Sequence, residues 1–222
     1  DFDDPRNTLV HHFVRLVGEI RPRAVVMENV PGMNSGKTAP IFHHAIQTLE
    51  GHGYRVTKPV EVLDASLFGT PQKRRRLFVL AIREDVSPHC IPYPASAAAG
   101  QAPRPTVEEA IGDLPDVDQH ASLFKTDISP YDKEPLSDNL YALRARGYSV
   151  DAHDRSWRRI ADEQVVTGCT RTKHAPKTVA LYGACAPGTM VPGHKLPKLH
   201  PDGLAPTLRA GTTSAHGPFT PP

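Results

Sequence analysis

A glutamate at the end of an apolar run is the first residue whose type and place could do chemistry. Residues 24–27 are apolar and include adjacent β-branched side chains, which predicts a short strand covered on both faces. Glu28 follows directly and therefore stands at the carboxyl end of that strand, where open α/β sheets bind their ligands. A poorly solvated carboxyl group in that place is a candidate general acid. A turn or helix-capping carboxylate is the structural alternative, and these residues alone leave both interpretations open.

The second candidate is a basic row ahead of another apolar run. In an extended segment Gln72, Arg74 and Arg76 point to one side, while Lys73 and Arg75 point to the other. One side of this row can therefore enter a site while the other meets solvent or phosphate. A guanidinium group can donate to a carbonyl oxygen and can also hold a neighbouring carboxylate in place. The alternative is a solvated basic edge that discourages strand pairing.

Alternating helix and strand patterns position these two groups. Apolar residues recur at helical spacing after Thr8, with Asn7 as a candidate N-cap and Pro22 closing the run. The alternation predicts an α/β fold containing part of a mostly parallel, doubly wound sheet. The predicted elements are helices over 8–20 and 41–49 and strands over 24–27, 54–63 and 77–82.

The chain changes character near residue 86, where we place a domain boundary between residues 1–85 and 86–222. Of the 23 prolines, 17 lie after residue 86, and the periodic patterns fade there. This texture predicts a smaller, loop-rich domain of the kind that carries recognition surfaces. Its predicted helices are 106–111, with a capping box between Thr106 and Glu109, and then 138–147 and 157–164.

Composition excludes several classes of protein. At 39% hydrophobic and 23% charged residues, the sequence is typical of a globular protein, and it contains neither a membrane-spanning run nor a signal-peptide pattern. Cys90, Cys169 and Cys185 form no C-x-x-C pair, so we expect no disulfide framework, no bound metal and a reducing cytoplasmic compartment. Residues 139–222 hold 11 Lys/Arg against 5 Asp/Glu, which suits a phosphate-rich partner and equally suits a solvated face.

Together the two candidate groups resemble the cytosine-5 DNA methyltransferase family. Glu28-Asn29-Val30 resembles its E-N-V motif, and Gln72, Arg74 and Arg76 match its Q-x-R-x-R motif at a similar separation. Further segments resemble the family in the same order; they are residues 4–9 (D-x-R-x-x-L), 67–71, 110–115 and 206–208. The resemblance covers residues 1 to about 115 well and is weak from there to about 200.

This resemblance implies a fold and a reaction. Residues 1–85 would be part of a Rossmann-like catalytic domain that uses S-adenosyl-L-methionine, and residues 86–222 a target-recognition domain that reads double-stranded DNA. The family adds a cysteine thiolate to carbon 6 of a flipped-out cytosine, so that carbon 5 attacks the methyl donor.

Residue roles follow from the same resemblance. Glu28 would act at ring nitrogen 3, Arg76 with support from Arg74 at oxygen 2, and Leu9 would lie against the cofactor. The residues expected to bind substrate are Asn29, Gln72, Thr207 and Leu208. Arg6 and Asn7 would position the neighbouring catalytic loop, and the basic candidates for DNA contact are Arg155, Arg158, Arg159, Arg171 and Lys173.

The sequence also departs from the family pattern. Its three cysteines do not match the catalytic Pro-Cys motif, and the glycine-rich cofactor turn is absent. The expectation is an internal fragment, inactive alone and completed by methyltransferase segments from the same parent chain or a partner subunit. Its setting would be a bacterial cytoplasm, with nucleoid association on DNA and a role in restriction–modification. Two alternatives stay open: a non-catalytic DNA-binding subunit of a split or degenerate methyltransferase, and a tRNA cytosine-5 methyltransferase.

Overall fold

A computed structural model describes residues 8–94, 104–130, 165–167, 169–171, 173–193 and 197–207. The chain divides into two compact units, the first formed by residues 1–68 and 74–102 and the second by residues 69–73 and 103–222. The division therefore differs from a boundary at residue 86. Thr57 donates its hydroxyl hydrogen to the carbonyl oxygen of Ile91, and Tyr93 donates to that of Phe78, so the segment after residue 86 is bonded to the first unit.

Two helices of the first unit confirm the helical patterns. The first, α1 (Thr8–Ile20), buries Val10, Val14 and Val17, and the second, α2 (Ala39–Gly51), buries an apolar stripe of its own. Arg21 ends α1 because it adopts a φ of 50° and its amide donates to the carbonyl of Val17, after which Pro22 cannot continue the helix. Asn7, the predicted N-cap, lies outside the described residues.

The sheet of the first unit has four strands, and its direction corrects one prediction. The strands are β1 (Ala24–Asn29), β2 (Tyr54–Val56), β3 (Glu61–Asp64) and β4 (Arg75–Arg83). All of the described pairings are antiparallel to β4, so the expectation of a mostly parallel sheet is wrong for this part of the chain. The reason is that ten residues with one 3₁₀ turn join β3 to β4, whereas a parallel crossover needs about a dozen or more. Since β1 and β2 both oppose β4, they run in the same direction, and α2 connects them as a crossover.

Two finer expectations about the strands are also wrong. The single strand predicted over 54–63 is interrupted between β2 and β3, where Pro59 has no amide hydrogen to give to a ladder. In β1 only alternate residues are buried: Val25 and Met27 pack into the core, while Val26 is 60% exposed. One face of the sheet thus packs in the core with residues of α1 and α2, and the other presents side chains to the site described below.

The second unit contains short elements. Helix α3 (Val107–Ile111) begins at the predicted capping box, which is confirmed, and strands β5 (Ile128–Pro130) and β6 (Val165–Thr167) pair antiparallel. Helix α4 (Pro176–Ala184) is not among the elements that the sequence patterns predict, and it buries none of its residues. Lys198 completes its end by donating to the carbonyls of Tyr182 and Cys185. The helices predicted over 138–147 and 157–164 lie outside the described residues.

Across the part of the chain that the structure describes, none of the helices has both the length and the apolar character needed to cross a bilayer.

Candidate active site

A cleft of about 460 Å³ lies on the face of the first unit's sheet that carries Glu28. Strand register brings its walls together, because Glu28 is opposite Phe78, Val26 is opposite Leu80, and Leu63 of β3 is opposite Arg76. The floor is therefore apolar and one end is charged. The lining residues are Val26, Glu28, Leu63, Ala65, Phe68, Arg74, Arg76, Phe78, Leu80, Tyr93 and Pro94.

The charged end is an ion-paired glutamate between two arginines. Glu28 Oε1 lies 2.7 Å from Arg76 Nε and 4.0 Å from Arg74 Nη2. Arg76 is the better fixed of the two arginines, because its Nη1 also donates to the carbonyl of Arg75 at 2.8 Å and its side chain is only 19% exposed. Glu28 is 46% exposed, so the expectation of a poorly solvated carboxyl group is wrong in the described structure. The face of β1 that carries it is open rather than covered.

The alternation predicted for the basic row holds where it meets the cleft. Arg74 and Arg76 line the cleft, while Arg75 is exposed. Gln72 belongs to the second unit, where its backbone forms a parallel bridge with Ala205. The structure thus brings Glu28, Arg74 and Arg76 together but does not add Gln72 to the lining of the cleft.

Asp64, a residue that sequence reasoning missed, holds the backbone of Arg74. Its Oδ1 accepts from the amides of Ser66 at 3.1 Å and Arg74 at 3.3 Å, and Ala65 N donates to the carbonyl of Arg74 at 2.9 Å. Burial acts to raise the pKa of Asp64, but the hydrogen bonds from Ser66 and Arg74 and the charge of Arg75 outweigh it and lower that pKa. Aspartate two residues ahead of a turn amide is a recognisable Asx-turn signal, which could have identified it.

Tyr93 is the second residue that the sequence patterns missed. Its hydroxyl donates to the carbonyl of Phe78 at 2.7 Å, and burial raises the pKa of the phenol. Together with Pro94 it contributes a wall to the cleft. A domain boundary at residue 86 places the proline-rich stretch around Tyr93 in the other domain, whereas the structure bonds Tyr93 to Phe78 of β4.

Other predicted site residues have different surroundings. Asn29 Oδ1 accepts from the amide of Val30 at 2.8 Å, so this side chain is bonded to the backbone at the end of β1. Leu9, on the first turn of α1, is 65% exposed. Thr207 lies in the second unit, where its hydroxyl donates to the carbonyl of Lys73 at 2.7 Å. Three more residues that the family resemblance assigns to the site lie outside the described residues; they are Arg6, Asn7 and Leu208.

The two described basic candidates for DNA contact, Arg171 and Lys173, differ in their surroundings. Arg171 forms an ion pair with Asp118, and its guanidinium carbon lies 4.7 Å from the ring centroid of Phe124. Both contacts are internal to the second unit and favour a structural role for this arginine, while its part in DNA contact stays a prediction. Lys173 is exposed. The other three candidates, Arg155, Arg158 and Arg159, lie outside the described residues.

The cysteines do not complete the cleft. None of the three, all of which the structure describes, is in a disulfide, and none of them lines the cleft. Burial, reinforced by the charge of Asp127, raises the pKa of the Cys169 thiol, which is opposite to what a nucleophilic thiolate needs.

Comparison with known proteins shows the family of the chain. The family model for C-5 cytosine-specific DNA methylase matches residues 1–186. The chain belongs to this family. It is 36% identical to the type II methyltransferase M.XorII of Xanthomonas oryzae pv. oryzae over 222 residues, which cover 99% of the chain and 50% of M.XorII. It is 31% identical to M.BspRI of Lysinibacillus sphaericus over 157 residues, which cover 68% of the chain and 36% of that relative. The chain thus spans about half the length, or less, of these two curated methylases.

The fold is shared with a solved structure. A prophage-encoded protein of E. coli, described as a DNA modification methyltransferase, superimposes with a TM-score of 0.67 at 22% identity. The match covers 93% of this chain and 58% of the E. coli protein. This likeness confirms the α/β methyltransferase fold class predicted from the sequence.

Proposed function

We propose that the protein methylates carbon 5 of cytosine in double-stranded DNA, with S-adenosyl-L-methionine as the methyl donor. The observation that supports this most directly is the carboxylate–guanidinium pair of Glu28 and Arg76 at the charged end of an apolar cleft. Membership of the C-5 cytosine-specific DNA methylases supplies the reaction class. The pair supplies side chains suited to the polar edge of a cytosine.

The chemistry explains why a carboxyl group and an arginine are needed together. Adding a nucleophile to carbon 6 of cytosine pushes electron density onto ring nitrogen 3 and oxygen 2. Donors placed where such charge develops each contribute roughly 10²–10³-fold to the rate. In this proposal Glu28 binds nitrogen 3 and the exocyclic amine, while Arg76, assisted by Arg74, donates to oxygen 2.

The geometry of the pair suits this division of roles. The contacts of Glu28 with Arg74 and Arg76 are both made through Oε1, and we assign Oε2 to the base. Arg76 is anchored by the carbonyl of Arg75, so the acid and the arginine hold each other in position before substrate binds. A base inside a duplex cannot reach the cleft, so it must be flipped out of the stack. Flipping costs about a few kcal/mol in enzymes that act on bases. The cleft volume falls within the roughly 300–1,000 Å³ of small-molecule sites.

The described residues do not by themselves make the cofactor pocket. Leu9 is the one residue that the family resemblance assigns to S-adenosyl-L-methionine, and its exposed apolar side chain has no group to bind an amino acid or a ribose. The nucleophile is likewise expected from a Pro-Cys motif of the whole protein rather than from Cys90, Cys169 or Cys185.

Residues 86–222, apart from the segment up to residue 94 that is bonded to the first unit, are proposed to read the DNA, and the cytoplasm is proposed as the place of action. Type II methyltransferases among the relatives support a restriction–modification setting. Loop-rich structure and the basic final third support a nucleic-acid partner. The remaining methyltransferase segments would complete the site, from the same parent chain or from a partner subunit.

The test is transfer of radiolabelled methyl groups by the full-length gene product to DNA and, separately, to tRNA. Glu28→Gln should lower the turnover number by at least about 10²-fold, because it removes a placed carboxyl group, while DNA binding is retained. Glu50→Gln is the matched control, since Glu50 is a surface glutamate paired with Lys58 at 2.6 Å.

Turnover equal to wild type in Glu28→Gln would refute the role given to Glu28. Methylation of tRNA alone would identify the RNA-modifying alternative, and DNA binding without transfer to either substrate would identify a non-catalytic subunit.

A further inference from the structure

We infer that Asp64 is a positioning residue that fixes Arg74 in the cleft. The inference rests on the proposed function, because it gives Arg74 a role in methyl transfer. Arg74 lines the charged cleft, whereas Asp64 does not. Asp64 is the last residue of β3.

The regular ladder between β3 and β4 ends just before Arg74. Strands β3 and β4 pair in antiparallel register, and their last pair is Asp64 with Arg75. Arg74 is therefore the first residue beyond the regular pairing. Its backbone position is not set by the ladder, although its side chain is needed at the cleft.

The segment 64–66 replaces the missing ladder bonds. In a hydrogen-bonded antiparallel pair, two residues exchange both of their N–H···O bonds. Ala65 gives one of these bonds to the carbonyl of Arg74 at 2.9 Å, but the chain then turns into the 3₁₀ turn Ala65–Phe68. The amide of Arg74 is bonded instead to Asp64 Oδ1 at 3.3 Å. The carboxylate thus takes the place that a backbone carbonyl would occupy in a longer strand.

The same oxygen is itself held in place. Asp64 Oδ1 also accepts from the amide of Ser66, which is buried, at 3.1 Å. The two amides and the carboxylate form one small network that joins the turn after β3 to the residue before β4. Arg74 is consequently held at both its amide and its carbonyl, with Nη2 at 4.0 Å from Glu28 Oε1.

Geometry rather than charge is what this network requires. Asp64→Asn keeps Oδ1 in the same place and should preserve the turnover number within about threefold. Asp64→Glu keeps the charge but moves the acceptor by one methylene, and Asp64→Ala removes it. Both should lower the turnover number by roughly 10- to 100-fold with little change in KM, since a misplacement of about 1 Å can cost that much.

Kinetics of the full-length gene product can show whether Asp64 acts through Arg74. The double variant Asp64→Ala/Arg74→Ala should be no slower than Arg74→Ala alone, because the residue being positioned is already gone. Asp85→Ala is the matched control, since Asp85 pairs with Arg83 at the opposite end of β4. Independent, multiplicative losses in the double variant would overturn the inference. So would a wild-type turnover number in Asp64→Ala, or a turnover number in Asp64→Asn as low as that of Asp64→Ala.

A readout that does not depend on activity separates this inference from the proposed function. Hydrogen exchange of the Arg74 amide should become faster in Asp64→Ala and Asp64→Glu and stay slow in Asp64→Asn. If the wild-type protein transfers no methyl group, the proposed function fails, while the exchange result still reports on the network. Unchanged exchange in Asp64→Ala would overturn the inference even in an active enzyme.

Discussion

Arg76 is the side chain that turns two isolated sequence signals into one site. Its Nε holds Glu28 Oε1 at 2.7 Å while its Nη1 is bonded to the carbonyl of Arg75, so one planar group spans both partners. Ion pairs between partly exposed groups contribute little to stability, about 0–1 kcal/mol. The pair is therefore better understood as a device for placing a carboxyl group than as a contribution to folding.

Replacing Arg76 by lysine separates these two effects. Lysine keeps the charge but lacks the fork that reaches Glu28 and Arg75 together, so Arg76→Lys should lower the turnover number by about 10²-fold. The melting temperature of the full-length gene product should change by only a few degrees. Arg83→Lys, at the other end of the same strand and paired with Asp85, should keep normal turnover. Comparable losses of activity in both variants would indicate damage to β4 rather than to the site.

Asp64 makes a further prediction about acid stability. Hydrogen bonds from Ser66 and Arg74 hold its folded pKa below the ordinary value, so the carboxylate stabilises the folded state above about pH 3.9, the unfolded pKa. That contribution is lost as the pH falls through the folded pKa. Urea unfolding at pH 6 and near pH 3 should therefore show a stability difference between wild type and Asp64→Asn that narrows in acid. A difference that widens in acid would contradict the sign of this pKa shift.

At the scale of elements, the sequence pattern predicts the helices correctly but not the direction of the strands. Helices α1 and α2 have apolar stripes with the period of a helix, so their place followed from the sequence. The direction of β4 depends on a short connection whose 3₁₀ turn leaves no periodic signal. Asp64 has an Asx-turn pattern in the sequence, but its bond to Arg74 exists only because β3 ends beside that residue. Glu28 and the arginines were identifiable as residues, but their distances depended on strand register.

The capping box of α3 gives an element-scale prediction. Thr106 Oγ1 accepts from the amide of Glu109 at 3.2 Å, and Glu109 accepts in return from the amide of Thr106 at 2.7 Å. The first amides of a helix have no partner within the helix, and α3 is only five residues long, so this exchange supplies hydrogen bonds that its first turn needs. Thr106→Ala should lower the free energy of unfolding by about 1 kcal/mol, whereas Thr106→Ser should lose much less. Equal stability of all three proteins in urea unfolding would show that the cap is not needed.

At the scale of the whole molecule, charge is distributed by segment rather than evenly. Residues 86–138 hold 3 Lys/Arg against 9 Asp/Glu, while residues 139–222 hold 11 against 5. A count of basic residues nevertheless overstates the positive charge that is available to the DNA partner proposed above. Arg171 contributes to the count, yet its guanidinium is committed to Asp118 and Phe124 within the second unit. Sequence alone could not make this distinction, because both partners lie about 50 residues away.

The distinction between Arg171 and Lys173 can be measured as a salt dependence. Each phosphate contact contributes about 0.9 to the slope of log K against log salt concentration, because binding releases condensed counterions. Lys173→Ala should therefore reduce that slope by about one unit, and Lys173→Arg, which keeps the charge, should restore it. Arg171→Ala should leave the slope unchanged and lower the melting temperature, because it removes an internal ion pair and a cation–π contact. A reduced slope with normal stability in Arg171→Ala would reverse the roles of these two residues and return Arg171 to the DNA interface.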